Sequence, residues 1–256
     1  MKFLNDILKR DPDYAELLSD AEKGRLPAVC TGLSLIHKAA AAAALCEHTG
    51  RKIVIVCNDE TSANELKDDL VSMGFSCLNF PSRDYCIGEL AGYSKEYEHK
   101  RTDTLSKLSD GDFDMLTVSL DAAVQYTMPP DILSRARFTL KTGDSLDMTV
   151  LADRLVSAGY VRSELCEGLG QFSVRGGIFD IFPVNSAQPC RIEFWGDEID
   201  SIAYFDAETQ RRTESAGEIN VTPACEVIYD SAELAEKLQS CLDREKYLTP
   251  AQKSSA

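Results

Sequence analysis

Residues 170–205 read GQFSVRGGIFDIFPVNSAQPCRIEFWGDEIDSIAYF, and this stretch decides the fold of the second half of the chain. Phe172 and Val174 alternate with polar neighbours up to Arg175, the period of a strand with one face on a core. The Gly176-Gly177 pair supplies the positive φ angles of a tight turn. Ile178 to Phe182 resumes an apolar strand, and Pro183 ends it because it has no N–H for a ladder. Arg191 to Trp195 alternates again, Gly196-Asp197 turns, and Glu198 to Phe205 runs back. The expectation is an antiparallel meander packed on a helix at Thr149 to Ala158. Phe179 and Ile181 fall on one strand face and Ile178, Asp180 and Phe182 on the other, so pattern alone does not say which face is core. Arg175, beside the turn, is expected to be exposed, and Trp195 is expected in the core. Read as a pattern, the meander is a structural sheet with no chemistry.

Upstream, strands alternate with helices. Asp11 suits a helix N-cap, Pro12 the first helical position and Gly24 the left-handed C-terminal position. Pro27 to Cys30 reads as a short apolar strand. A glycine turn at Gly32 then leads into a helix, Leu35 to Glu47, with the run Ala39 to Ala44 suited to close packing. Lys52 to Cys57 reads as a strand buried in a parallel sheet. Asp59 to Met73 is a helix closed by Gly74, and Phe75 to Phe80 another strand. A charged helix, Lys95 to Leu108, precedes the strand Phe113 to Ser119. This spacing predicts an α/β layered fold with a mostly parallel sheet. Pro129-Pro130 is the expected domain boundary, since neither residue donates to a helix or ladder. The strand Ala136 to Lys141 should open an inserted α+β domain over residues 129–214. Residues 215–256 should return to the first domain, residues 1–128, through a strand at Ile219 to Pro223 and a helix at Ser231 to Tyr247.

Strand, glycine turn and helix form the arrangement in which backbone N–H groups hold phosphate. Against G-x-x-x-x-G-K-[ST], residues 32–39, GLSLIHKA, keep Gly32 and Lys38. His37 stands where the loop needs its second glycine, and Ala39 replaces the hydroxyl that ligates Mg²⁺. Both losses fall on necessary parts, which predicts a degenerate P-loop and an inherited scaffold. Asp59-Glu60 after an apolar strand imitates a magnesium-binding carboxylate pair. The helix that starts directly behind them gives these acids a capping role instead.

The net charge of −15 bears on partners. Residues 1–126 carry 14 basic and 21 acidic groups, residues 127–214 carry 9 and 14, and residues 215–256 carry 4 and 7. Duplex DNA binders gather Lys and Arg to replace condensed counterions. No segment here is basic, so a role in a DNA transaction is expected to run through a protein partner. No apolar run approaches the roughly 20 residues that span a bilayer. Met1 to Arg10 is too polar for a secretory signal, so a cytoplasmic location without membrane attachment is expected. Nine cysteines, odd in number and never spaced Cys-x-x-Cys, predict buried free thiols rather than disulfides. His37, His48 and His99 form no metal pattern. No metal and no catalytic residue is expected.

Residues 170–183 and 191–211 together resemble the second domain of the bacterial transcription-repair coupling factor family, shared in degraded form with the excinuclease component UvrB. Residues 80–130 are similar in layout to the first domain of that family, a RecA-like, helicase-like domain whose phosphate loop is also degenerate. The resemblance implies a non-catalytic module that binds the excinuclease component UvrA, with Arg162 and Arg175 matching arginines that contact it. Phe179 is the aromatic residue expected to anchor that patch. It also implies that the chain is part of a longer factor that engages RNA polymerase and double-stranded DNA. ATP and Mg²⁺ would then serve motor domains with no counterpart in these residues, so this part itself is expected to hold no cofactor. The alternatives are an ATPase or helicase fragment acting through residues 32–39, or a UvrB-like excinuclease component. The latter would carry an intact phosphate loop and a tyrosine-rich hairpin. Residues 81–97 offer only Tyr85, Tyr93 and Tyr97 amid acidic residues.

Overall fold

The computed structural model describes residues 8, 10–83, 95–229 and 231–244, with the side chains of 231–233 excepted. Tyr85, Tyr93 and the chain after Arg244 lie outside the described residues. Compactness divides the chain into two units. The first holds residues 1–138, 183–187 and 220–224; the second holds 139–182, 188–219 and 225–256.

In the first unit, α1 (Pro12–Lys23) forms as its caps dictate. The Asp11 carboxylate accepts from the Asp13 and Tyr14 N–H groups at 3.0 Å, and Gly24 takes φ +68°. Next come α2 (Leu35–Thr49), β1 (Ile53–Cys57), α3 (Glu60–Ser72) and β2 (Cys77–Phe80). They are followed by α4 (Glu96–Asp110), β3 (Met115–Ser119), α5 (Leu120–Ala123) and α6 (Pro130–Ala136). The three strands form a parallel sheet in the order β1-β3-β2. Ala39 and Ala43 of α2 pack with Leu66 and Leu70 of α3 and Met115 of β3. The small alanine faces let α2 approach closely, as the run of alanines predicted. A second cluster joins Phe80, Val118 and Ala122, partly covered by Leu105 of α4. Helix α4 also buries a charge, because Arg101 is 0 % exposed. Its guanidinium donates to the Pro81 carbonyl at 2.6 Å and to the Gln125 amide oxygen at 3.1 Å, and lies over the Phe80 ring.

Three expectations fail in this unit. Pro27 to Cys30 is not a strand but an exposed irregular segment, with Val29 90 % exposed. Residues predicted to open a strand at Ala136 instead end α6, which Pro130 starts in the first helical turn. The strand β1 lies at the edge of its sheet and exposes Val54 and Val56, so it is not buried on both faces.

The second unit begins within β4 (Phe138–Lys141), which pairs with β11 (Glu218–Val221), and not at Pro129-Pro130. Helix α7 (Met148–Ser157) is capped by Asp147, which accepts from the Thr149 N–H at 2.6 Å, and it buries Leu151 and Leu155. The six-stranded sheet runs β10-β9-β8-β7-β6-β5. Its strands are β5 (Val161–Arg162), β6 (Gln171–Arg175), β7 (Ile178–Ile181), β8 (Cys190–Trp195), β9 (Glu198–Phe205) and β10 (Arg212–Ala216). All neighbours are antiparallel except β5 and β6. The meander of β6 to β9 is the one its alternation predicted, with turns at Gly176 (φ +61°) and Gly196 (φ +63°). Of residues 215–256 only 220–224 group with the first unit, and helix α8 (Ser231–Arg244) groups with the second.

Leu70 is fully buried between α3 and the sheet. Truncation to alanine is expected to cost about 2–5 kcal/mol, read as a lowered urea midpoint for the first unit.

Candidate partner-binding surface

The surface is built on the β6–β7 turn. Direct antiparallel partners share a sheet face. Phe172 therefore stands with Ile181, Val174 with Phe179, Ser173 with Asp180, and Arg175 with Ile178. Asp180 in turn faces Arg191 of β8. One face thus carries Phe172, Phe179, Ile181 and Ile192, all 0 % exposed. The other carries the polar row Ser173, Asp180 and Arg191.

Asp180 is 1 % exposed, and a carboxylate so placed needs charged partners. Arg191 grips both its oxygens, Nε to Oδ1 at 2.7 Å and Nη2 to Oδ2 at 2.9 Å. The same guanidinium lies over the Phe205 ring, 4.7 Å from its centroid. Its hydrogen bonds to Asp180 push Arg191 above its ordinary pKa. Arg175 adds a third bond, Nη2 to Oδ2 at 2.8 Å, while its side chain stays 46 % exposed. Both arginines thus meet one buried carboxylate, and not separate carboxylates on the surface. Arg191 alone satisfies that acid in bidentate fashion, so Arg175 is held in place without being required for neutralisation.

The short strand β5 runs parallel to β6, with Arg162 opposite Phe172. Arg162 is exposed and has no side-chain hydrogen bond or ion pair among the described residues. Arg162, Ser163, Glu164, Val174 and Arg175 line one open groove of about 630 Å³. The two arginines picked from the sequence therefore meet on one surface.

Two aromatic expectations fail. Phe179 is not an exposed anchor: it is fully buried and stacks on Phe172 with ring centroids 5.5 Å apart. Trp195 is not core: it is 84 % exposed at the end of β8. The strand period carries the signal for this, because Ile192 and Phe194 are buried and a strand puts the next residue on the opposite side.

The degenerate loop keeps the glycine turn and the helix of its expected frame but lacks the strand. No strand precedes Gly32, which takes φ +79° in an irregular segment. His37 is exposed and its Nδ1 lies 2.8 Å from the Ser34 hydroxyl. Lys38 is exposed, whereas Ala39 is 0 % exposed within the α2–α3 core. Asp59 caps α3 by accepting from the Ser62 N–H at 2.7 Å, which holds its carboxyl below the usual range. Glu60 accepts from the Ser82 N–H at 2.7 Å. Of the described cysteines, Cys46, Cys57, Cys77, Cys166 and Cys190 are buried free thiols, and burial pushes Cys166 and Cys190 up to about 12. Among the described residues no cluster of His, Cys, Asp and Glu could hold a metal ion, and no helix is long and apolar enough to cross a membrane.

Residues 138–226 match the UvrB interaction domain family. The chain is 30 % identical over 248 residues to a transcription-repair-coupling factor of Bacillus subtilis, covering 94 % of this chain and 21 % of that protein. It is 30 % identical over 230 residues to the transcription-repair-coupling factor of Staphylococcus aureus strain USA300, covering 89 % of this chain and 19 % of that protein. The chain spans about a fifth of the length of the curated relatives it matches. The likeness expected from residues 170–183 and 191–211 thus extends over most of the chain.

Phe179→Ala is expected to remove a stacked core ring and cost about 3–5 kcal/mol of stability. Circular dichroism melts of the variant check this; an unchanged melting temperature would return Phe179 to the surface.

Proposed function

We propose that this chain, similar over most of its length to transcription-repair-coupling factors, is a non-catalytic recruiting module that binds the excinuclease component UvrA. The observation that carries this reading is the convergence of Arg162 and Arg175 on one exposed groove within the residues that match the UvrB interaction domain. Arginine forks recognise carboxylates bidentately, and interfaces draw most of their energy from a few such residues. The chain around them is acidic throughout, so binding would run through protein contacts and not through the DNA backbone. In the longer factor, the module would bring repair enzymes to RNA polymerase stalled on double-stranded DNA, with ATP and Mg²⁺ used by motor domains elsewhere.

The first unit is read as the remnant of a RecA-like helicase domain. It supports the module without handling nucleotide: Ala39 is sealed in the core and offers no hydroxyl, and Lys38 lacks a phosphate-curling loop around it. The competing reading, an ATPase acting through residues 32–39, makes an opposite prediction. A ligand at 100 times its dissociation constant would add about 2.7 kcal/mol. Millimolar Mg-ATP is expected to leave the melting temperature of the chain unchanged, and a clear upward shift would establish nucleotide binding.

Arg175→Ala and, separately, Arg162→Ala should each weaken binding to UvrA by about 2 kcal/mol, measured by calorimetric titration. Both variants should fold as the parent does. Arg191 still neutralises Asp180 when Arg175 is lost, and Arg162 has no structural partner among the described residues. Undiminished affinity in both would dismiss the groove as the interface.

A further inference from the structure

The two groove arginines differ in one respect: only Arg175 is tied down. Its Nη2 donates to Asp180 Oδ2 at 2.8 Å, whereas Arg162 has no side-chain hydrogen bond or ion pair among the described residues. Asp180 stands directly opposite Ser173, and Arg175 lies two residues further along β6 on the same face. The tie is therefore a diagonal cross-strand pair, which a long side chain reaches by lying back along the sheet. Among the described residues Nη2 is the one atom of the Arg175 guanidinium that has a partner. Nη1 and Nε keep their donors for a further group.

Asp180 is itself fixed from behind. Arg191 holds both its oxygens, and the far side of that guanidinium meets the β9–β10 turn. Nη1 lies 3.4 Å from the Gln210 carbonyl oxygen and Nη2 3.4 Å from Gln210 Oε1. Gln210 takes φ +60° and is the only non-glycine residue with positive φ among the described residues. Its Nε2 donates to the Ala207 carbonyl at 2.7 Å and its N–H to the Asp206 carbonyl at 2.8 Å. Surroundings that over-determine a backbone conformation allow such a residue to persist. Two guanidinium groups meet one carboxylate, so the cluster carries a surplus positive charge. That surplus lies at Arg175, 46 % exposed, and not at Arg191, 15 % exposed.

We propose that Asp180 is a positioning residue of the partner-binding surface: from inside the sheet it holds the Arg175 guanidinium in one orientation toward a carboxylate of UvrA, without touching UvrA itself. This rests on the recruiting function proposed above. An untethered arginine gives up its rotamer freedom on docking, whereas a tethered one has given up part of it on folding. Neutralising Asp180 sets two effects against each other. The cluster becomes more positive, which favours an acidic partner. The orientation of Arg175 is lost, because Asp180 accepts three bonds on two oxygens and asparagine has only one oxygen. Positioning requires that the second effect outweigh the first.

A double-mutant cycle reads this directly. Affinities of the 256-residue parent, Asp180→Asn, Arg175→Ala and the double variant for UvrA are measured by calorimetry, at a temperature where melts show each chain folded. Asp180→Asn is expected to weaken binding about 2- to 10-fold in the parent and to change nothing in the Arg175→Ala background. Equal weakening in both backgrounds would mark damage to the fold, and tighter binding in Asp180→Asn would mark a purely Coulombic role. Either result would overturn the positioning role and leave the recruiting function standing. Parental affinity in Arg175→Ala would overturn the positioning role, and a parent chain that does not bind would overturn both. Asp180→Asn leaves the Arg191 charge without its acid and is expected to melt lower, so a second measurement avoids that variant. Side-chain ¹⁵N NMR of the free parent, assigned through Arg175→Lys and Arg162→Lys, follows rotation about each Nε–Cζ bond. Slower rotation at Arg175 than at Arg162 is expected, and equal rates would overturn the positioning role.

Discussion

The carboxylate of Asp180 is the constraint on which the second unit depends. An acid 1 % exposed within a sheet is tolerated because Arg191 offers it two coplanar donors and Arg175 adds a third. That pairing exists in one register. A shift of one residue along β7 would carry Phe179 to the polar row and Asp180 among the stacked rings. The core, the ion pair and the exposed tip are therefore one arrangement seen from three sides. Arg175 benefits at small cost to stability: its tie to Asp180 limits the rotamers it must surrender on meeting a partner, while nearly half of its side chain stays in water.

Much of this is legible in the chain. Asp11, Asp59 and Asp147 cap the helices behind them, and Gly176 and Gly196 turn the hairpins with positive φ. Local chemistry fixes such features, and a local reading finds them. The strand period also holds through β6, β7 and β8. What a local reading lacks is the identity of the covered face. Both faces of β7 carry apolar residues, so only the stacking on Phe172 distinguishes Phe179 from a surface anchor. Trp195 misleads for the opposite reason. Large aromatics are buried on average, and that expectation competes with an alternation that points outward.

The failures in the first unit share a cause. Pro27 to Cys30 has strand composition but no neighbour in the three-stranded sheet, and pairing, not composition, makes a strand. Composition likewise implies that β1 is covered on both faces. The order β1-β3-β2 leaves it at an edge with Val54 and Val56 exposed. Nucleotide loops need a strand to deliver them and a glycine to curl them. Here the strand before Gly32 is absent and His37 stands at the curl. Ala39, at the position where a magnesium hydroxyl would sit, has become packing for Leu66 and Leu70. A residue sealed in a core at 0 % exposure cannot also serve solvent-borne phosphate.

For the recruiting function proposed above, charge matters at contact and not at a distance. With a net charge of −15, its long-range field repels acidic partners, and two arginines do not reverse that at a distance. In the recruiting function proposed above they would act at contact, within a Debye length, where a bidentate pair sets orientation and rejects a surface without matching acids. Among the described residues of the second unit, the large aromatic side chain left most open to solvent is the indole of Trp195, tied through Phe194 to the turn that follows Arg175. Arg175 and Trp195 thus sit on adjoining hairpin tips of one sheet, and the Asp180–Arg191 pair holds the register of the strands between them.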